Sequence, residues 1–201
     1  AGMLLMIDNS FRQMDRNTFL LSDTYSLANY RSMWSYSVFQ VVLLRSITAS
    51  ALVTAITVLL AFPYAYVMVR TPSRMLRRVL LFTLFVPFFI GAVVRAYSWI
   101  IVLGRYGLIN DVIAFFGYDP VKILYTAPAV VVGLVQYNFP FAVLMIAPAL
   151  TSIPEEIEMA AESLGATWWR AMKEVVLPMA KPGLLAATTV VFTLAFTDYA
   201  M

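Results

Sequence analysis

The chain has 201 residues, of which 62% are hydrophobic and 12% charged, with a net charge of +3 and a mean hydropathy of +0.82. Those proportions lie far from the soluble norm of about 45–50% apolar and about 25% charged, so the chain reads as an all-α integral membrane protein. Neither Cys nor His occurs, which excludes disulfides and thiolate metal sites and leaves few tools for enzymatic chemistry; the dispersed basic charge lacks the stripe of a nucleic-acid binder.

Residues 1–7 (AGMLLMI) are apolar but too short to span a bilayer, and they read as the tail of an earlier helix. The polar segment that follows, to residue 44, contains FLLSDTYSLANYRSMWSYSVF. Its Tyr and Trp suit the headgroup level of a membrane, or a surface on which a ligand stacks. Four stretches then approach the roughly 20 apolar residues that a spanning helix requires. They are Ser46–Val69, Val79–Gly104 with Arg95 inside it, Ala127–Leu150 with Gln136 and Asn138 as its strongest polar groups, and the run from Pro182 to Asp198. The chain stops soon after Asp198, so it reads as a fragment whose last helix is incomplete.

The tightest basic cluster is RTPSRMLRR, with Arg70, Arg74, Arg77 and Arg78 and no acid among them. Short basic loops stay in the cytoplasm, so this cluster orients the spans. Residues 151–181 then also face the cytoplasm, while 8–44 and 105–126 face outward. In the outer loop, Leu108, Ile109, Val112, Ile113, Phe115 and Phe116 recur at near-helical spacing between Gly107 and Gly117, which predicts a short interfacial helix.

The cytoplasmic stretch EEIEMAAESLGATWWRAMKEVVLPMAKPG holds five of the eleven acidic residues. Ser152 and Glu155 have the spacing of a capping box. Ile157, Ala160, Ala161, Leu164 and Trp168 fall along one face and Glu155, Glu158 and Glu162 along the other. Gly165 stands where a left-handed helix stop favours glycine, Thr167 caps a second helix to Val176, and Leu177-Pro178 ends it before Pro182-Gly183 opens the next span. A helix lying on the membrane surface is the plain alternative, but such helices carry Lys and Arg on the polar face rather than acids. A docking element for another protein's groove fits the acidic first half better.

This stretch resembles the EAA loop of membrane subunits of type I ATP-binding-cassette importers, whose form is E-A-A, three residues, G, nine residues, I, any residue, L-P. Ala160-Ala161, Gly165, Val175 and Leu177-Pro178 keep the spacing, while Met159 holds the place of the motif Glu, with Glu158 just before it. Pro63-Tyr64-Ala65, LFVPFF, Arg95-Ala-Tyr97, GLINDVIAFFG and TAPAVVVGLVQYNFPF are similar to the spermidine/putrescine branch. The resemblance implies a polytopic helix bundle of about six helices in the full subunit, four to five of them here. It divides the chain into an outer segment, 1–44, after a missing or truncated first helix, and a permease domain, 45–201, containing the coupling loop 151–181.

It further implies a non-catalytic, multi-pass subunit of the bacterial inner membrane. The expected partners are a second, non-identical permease subunit, two ATPase subunits that hold the ATP and Mg, a periplasmic solute-binding protein and membrane lipid. Docking to the ATPase falls to Glu158, Met159, Ala160, Ala161, Gly165, Leu177 and Pro178. The transported solute is a polyamine by this resemblance, with an amino-acid derivative, opine, metal or anion as alternatives; an ion-coupled secondary transporter is the competing class.

Candidate pathway residues follow from the cost of polar groups in a bilayer. Asp198 beside Tyr199 suits a cationic amine, or marks the outer interface. Arg95, near Tyr97, pairs with a carboxylate, reaches to the surface or gates the path. Gln136 and Asn138 precede Pro140, which predicts an interrupted helix lining the pathway, or else hydrogen bonds between helices.

Overall fold

A computed structural model describes residues 2–14 and 21–200, so Phe19 and Leu20 of the aromatic stretch lie outside the described residues. The chain divides into two compact units, Ala1–Thr48 and Ala49–Met201. In the first, α1 (Gly2–Ser10) leads into an antiparallel pair, β1 (Arg12–Met14) and β2 (Leu21–Tyr25), then α2 (Ala28–Ser35) and the start of α3 (Ser37–Arg70). Residues 2–7 are helical as expected, whereas the strand pair departs from an all-helical reading. Polar contacts hold it: Arg12 pairs with Asp8 at 3.2 Å, the Tyr25 hydroxyl donates to Asp8 at 2.7 Å, and Asn29 donates to the carbonyls of Ser10 and Arg12.

The second unit holds the remainder of α3, then α4 (Arg74–Phe89), α5 (Ala92–Leu103), α6 (Leu108–Phe115), α7 (Ala127–Thr151), α8 (Glu155–Ser163), α9 (Trp168–Ala171), a π-helical turn (Met172–Val176), α10 (Leu177–Met179) and α11 (Lys181–Ala200). Among the described residues, Ser37–Arg70, Ala127–Thr151 and the stretch Val93–Phe115 are long and apolar enough to cross a membrane. A fourth crossing exists if Trp168–Met179 and Lys181–Tyr199, bent by 67° at their junction, count as one span.

The expected span Val79–Gly104 is not one helix. Pro87 lacks the N–H that the ladder requires, the chain turns extended at Ile90 (φ −83°, ψ 116°), and α5 restarts after Gly91. Conversely, the interruption expected at Pro140 does not occur, because α7 runs through both Pro140 and Pro148. Packing supplies what the missing hydrogen bonds do not: Asn138, Pro140, Ala142, Val143 and Ile146 are all buried there.

One apolar core unites the second unit. Ala61, Ala65 and Met68 of α3 meet Leu84 of α4, Ala142, Val143, Ile146 and Leu150 of α7, and Ala187 and Val191 of α11. A smaller cluster of Val53, Val131 and Ala195 joins α3, α7 and α11 nearer their other ends. Alanines at these contacts let helix axes approach closely, the usual device of membrane bundles. A close approach of α11 to α7 is at Gly183, where a Cβ would stand 2.4 Å from the Ala149 Cβ. Threonines of α11 spend their hydroxyls within the helix, as Thr188 does on Leu184 O and Thr193 on Thr189 O, so their polarity does not oppose burial in lipid. At the basic loop, Ser73 accepts from Leu76 N at 3.2 Å, and Arg77 donates to the carbonyls of Val69 and Thr71 that end α3.

Candidate functional site

Two features draw together the residues singled out from the sequence: an elbow at 153–180 and a cavity between α5, α7 and α11. The elbow opens differently from expectation. Ser152 has helical dihedrals (φ −73°, ψ −10°) and caps the end of α7, and its hydroxyl donates to Ala149 O at 2.8 Å. The capping box with Glu155 therefore does not form. Instead α8 begins after extended Pro154, and Glu155, Glu156 and Glu158 place negative charge over its unpaired first-turn N–H groups.

The turn is as the sequence indicates. Gly165 has φ +88°, its N–H donates to Glu162 O at 2.9 Å, and the Ala166 N–H donates to Ala161 O at 3.1 Å. That pair of bonds is the Schellman closure of a helix, and it requires the left-handed conformation that glycine adopts most easily. Thr167 then accepts from Arg170 N at 3.4 Å and starts α9. The expected stop at Leu177-Pro178 does not hold, since the helix continues to Met179 and bends only before Lys181. The π-turn just upstream explains this: widening the ladder relieves the clash that a proline ring makes with the carbonyl four residues earlier.

Burial divides the elbow. Met172, Val176 and Ala180 sit in the main core, whereas α8 buries no residue completely. Its apolar side chains Met159, 55% exposed, and Ile157 point away, as do Leu164 of the turn, 90% exposed, and Trp169 of α9. Ala160, Gly165, Leu177 and Pro178 are exposed as well, and Ala161 is half-buried. The inward-facing side chain is Glu158. Its carboxylate accepts from the Tyr66 hydroxyl at 2.7 Å and from Arg70 Nε at 2.9 Å. A second nitrogen of Arg70 also pairs with it and donates to Ile153 O at 2.9 Å. Arg70 and Glu158 side chains are only 13% and 14% exposed. Nothing local marks this pairing beyond an arginine at the end of one span and an acid at the start of the loop.

The cavity has a volume of about 340 Å³ and is lined by Arg95, Ala96, Trp99, Gly133, Leu134, Tyr137 and Asp198. Arg95 lies over the Tyr137 ring, 4.6 Å from its centroid, and Trp99 Nε1 donates to Gln136 Oε1 at 3.4 Å. Arg95, Trp99 and Gln136 also line an adjoining cavity of about 250 Å³ beside the α4–α5 break, with Pro87 and Ile90. Of the pathway candidates, Arg95, Gln136 and Asp198 thus line these two cavities. Asn138 turns back on its own helix, donating to Leu134 O at 2.8 Å, and is fully buried. Tyr97 is exposed and lines neither cavity, and neither does half-buried Tyr199. Trp99 was missed, although it lies one helical turn after Arg95.

Comparison with known proteins places these features. The spermidine/putrescine transport system permease protein PotB of Salmonella typhimurium (strain SL1344) is 29% identical over 190 residues, covering 94% of this chain and 65% of that protein. The inner membrane ABC transporter permease protein YdcU of Escherichia coli (strain K12) is 27% identical over 212 residues, covering 99% of the chain and 67% of that protein. The chain therefore spans just under two thirds of the Salmonella relative's length. Among solved structures, a bacterial ABC transporter that imports the acidic polysaccharide alginate superposes with a TM-score of 0.68 at 18% identity, over 94% of this chain and 65% of that one. The profile of a family described as binding-protein-dependent transport system inner membrane component matches residues 54–201. That match covers most of the chain, which belongs to this family of inner membrane transport components.

Proposed function

We propose that the chain is a permease subunit of an ATP-driven importer, and that the elbow at 153–180 is where a separate ATPase docks. The observation that carries this reading is the arrangement of the elbow: exposed Met159 and Leu164 on one arm, and on the other an arm that presents Trp169 outward but is rooted in the transmembrane core. An apolar face that the chain itself leaves open, at the end of an amphipathic helix, fits a partner's groove. In this scheme the elbow is cytoplasmic, the ATP and Mg belong to two ATPase subunits, a second and non-identical permease subunit completes the path, and a binding protein delivers solute from outside. The chain catalyses no reaction itself.

The solute is a small amine, with polyamines as the first candidate. Asp198 offers the carboxylate, Trp99 and Tyr137 the aromatic faces that favour ammonium groups, and the PotB name points the same way. A second reading, an amino-acid derivative carrying both charges, is favoured by Arg95 on the same cavity wall. Uptake by the complete complex separates them. If polyamines are the solute, Asp198→Asn lowers uptake while Arg95→Gln spares or raises it; if a zwitterion is, both variants lower it.

Docking is tested at Gly165. A valine there cannot easily adopt φ +88°, at a cost of about 1–2 kcal/mol. Insertion should persist, while ATPase co-purification and ATP-driven uptake fall sharply. Uptake at the wild-type rate would rule out the elbow as the docking element.

A further inference from the structure

Glu158 precedes the position at which the importer motif carries its Glu, and it stands on the helix that faces the proposed partner, yet its carboxylate is turned inward. Three donors from the cytoplasmic end of α3 meet it: the Tyr66 hydroxyl at 2.7 Å, Arg70 Nε at 2.9 Å and a second Arg70 nitrogen. That second nitrogen also holds Ile153 O at 2.9 Å, so one guanidinium grips both the carboxylate of α8 and the backbone that leads into it. Trp168, the first residue of α9, packs edge-on against the Tyr66 ring with centroids 6.1 Å apart. Both arms of the elbow thus converge on the same two side chains of α3. Glu155, at the start of α8, adds a looser contact to the same guanidinium at 3.9 Å, with its own carboxylate largely in solvent.

We infer that Arg70, Glu158 and Tyr66 form a clasp that makes the docking helix and the cytoplasmic end of α3 move as one body, so that Glu158 is a positioning residue rather than a contact for the ATPase. A largely desolvated, two-pronged ion pair is directional and resists sliding, unlike an apolar contact that can re-register. Displacement of α8 by a partner is then delivered to α3 directly, and α3 runs from the elbow through the whole apolar core. Core packing of Met172 and Val176 delivers it separately to α7 and α11.

This inference rests on the importer reading above. The test uses the complete complex in proteoliposomes, comparing ATPase co-purification, ATP hydrolysis and uptake per ATP hydrolysed. Because an unpaired buried charge can prevent folding, the first variant neutralises both partners, Arg70→Gln with Glu158→Gln. The complex should assemble and hydrolyse ATP, while uptake per ATP falls by about tenfold, a coupling loss of ordinary size. The charge-swapped pair, Arg70→Glu with Glu158→Arg, made together with Glu155→Gln because Glu155 stands 3.9 Å from the Arg70 guanidinium, should recover much of the loss, and Tyr66→Phe should produce a smaller one. Loss of ATPase co-purification in the neutral pair would show that Glu158 belongs to the docking surface, and unchanged uptake per ATP would show that the clasp relays nothing; either overturns the inference. A wild-type complex that binds no ATPase would instead defeat the importer reading itself.

Discussion

Residues 155–163 and 168–179 are two helical arms joined at Gly165, yet the first buries no side chain completely while the second buries Ala171, Met172 and Val176. Their compositions alone do not account for this, since both carry acids and both carry large apolar groups. The difference lies in what each arm adjoins. The second continues through the bend into α11, which packs along α7, so its apolar side chains inherit an existing core. The first hangs from the end of α7 by extended Pro154 and reaches α3 through Glu158 and, more loosely, Glu155. One arm is fixed by nonpolar packing and the other by a polar clasp, which leaves the outer arm's apolar face free.

The largest break in that comparison comes from the rooted arm. Met172→Ala removes a buried side chain from the core, with a cost to stability of about 2–5 kcal/mol. Thermal unfolding in detergent should show a clear drop, and the loss should be global because this core joins α3, α4, α7 and α11. Next in size is Gly183→Ala, at the foot of α11. Its new methyl would stand 2.4 Å from the Ala149 Cβ and 3.2 Å from Met145 O, so α7 and α11 must separate. Overpacking of this kind costs about 1–3 kcal/mol. If the rooted arm depends on this crossing, the same variant lowers uptake as well as melting temperature; a melting temperature equal to wild type would show that the crossing is slack.

What was legible in the sequence was local. Gly165 could be recognised because a helix end in the left-handed region has few residues to choose from, and Thr167 because a hydroxyl before an amphipathic run has one obvious partner. The apolar runs of α3 and α7 stand out because lipid leaves no alternative to helix. The errors arose where two local rules compete. Ser152 fits the start of α8 and the end of α7 equally well, and the nearer carbonyl of Ala149 wins. Pro87 and Pro140 are the same residue in similar surroundings, yet α4 ends two residues after the one and α7 continues through the other, because α7 is enclosed by packed neighbours and the end of α4 is exposed. What no local rule reaches is the meeting of distant residues. Arg70 and Glu158 are 88 positions apart, and Arg70 reads in isolation as a topology signal. Arg95 and Asp198 share a cavity wall only because α5 and α11 flank α7.

The smallest expected effect on stability belongs to the outer arm, and it is the one that tests the comparison most directly. Leu164 is 90% exposed, so Leu164→Ala removes almost no intramolecular contact, and its effect on unfolding should stay within about 0.5 kcal/mol. The residue just before Gly165 is nevertheless the most exposed large apolar side chain of the elbow. If that face serves a partner's groove, burying it there is worth about 1.5–3 kcal/mol, and its loss should weaken ATPase co-purification by at least about tenfold. A variant that melts like wild type but no longer retains the ATPase would separate the two arms by role as cleanly as they separate by burial. Equal retention by wild type and variant would mean that Leu164 contributes nothing to docking, and the exposed face would then have to be assigned to lipid.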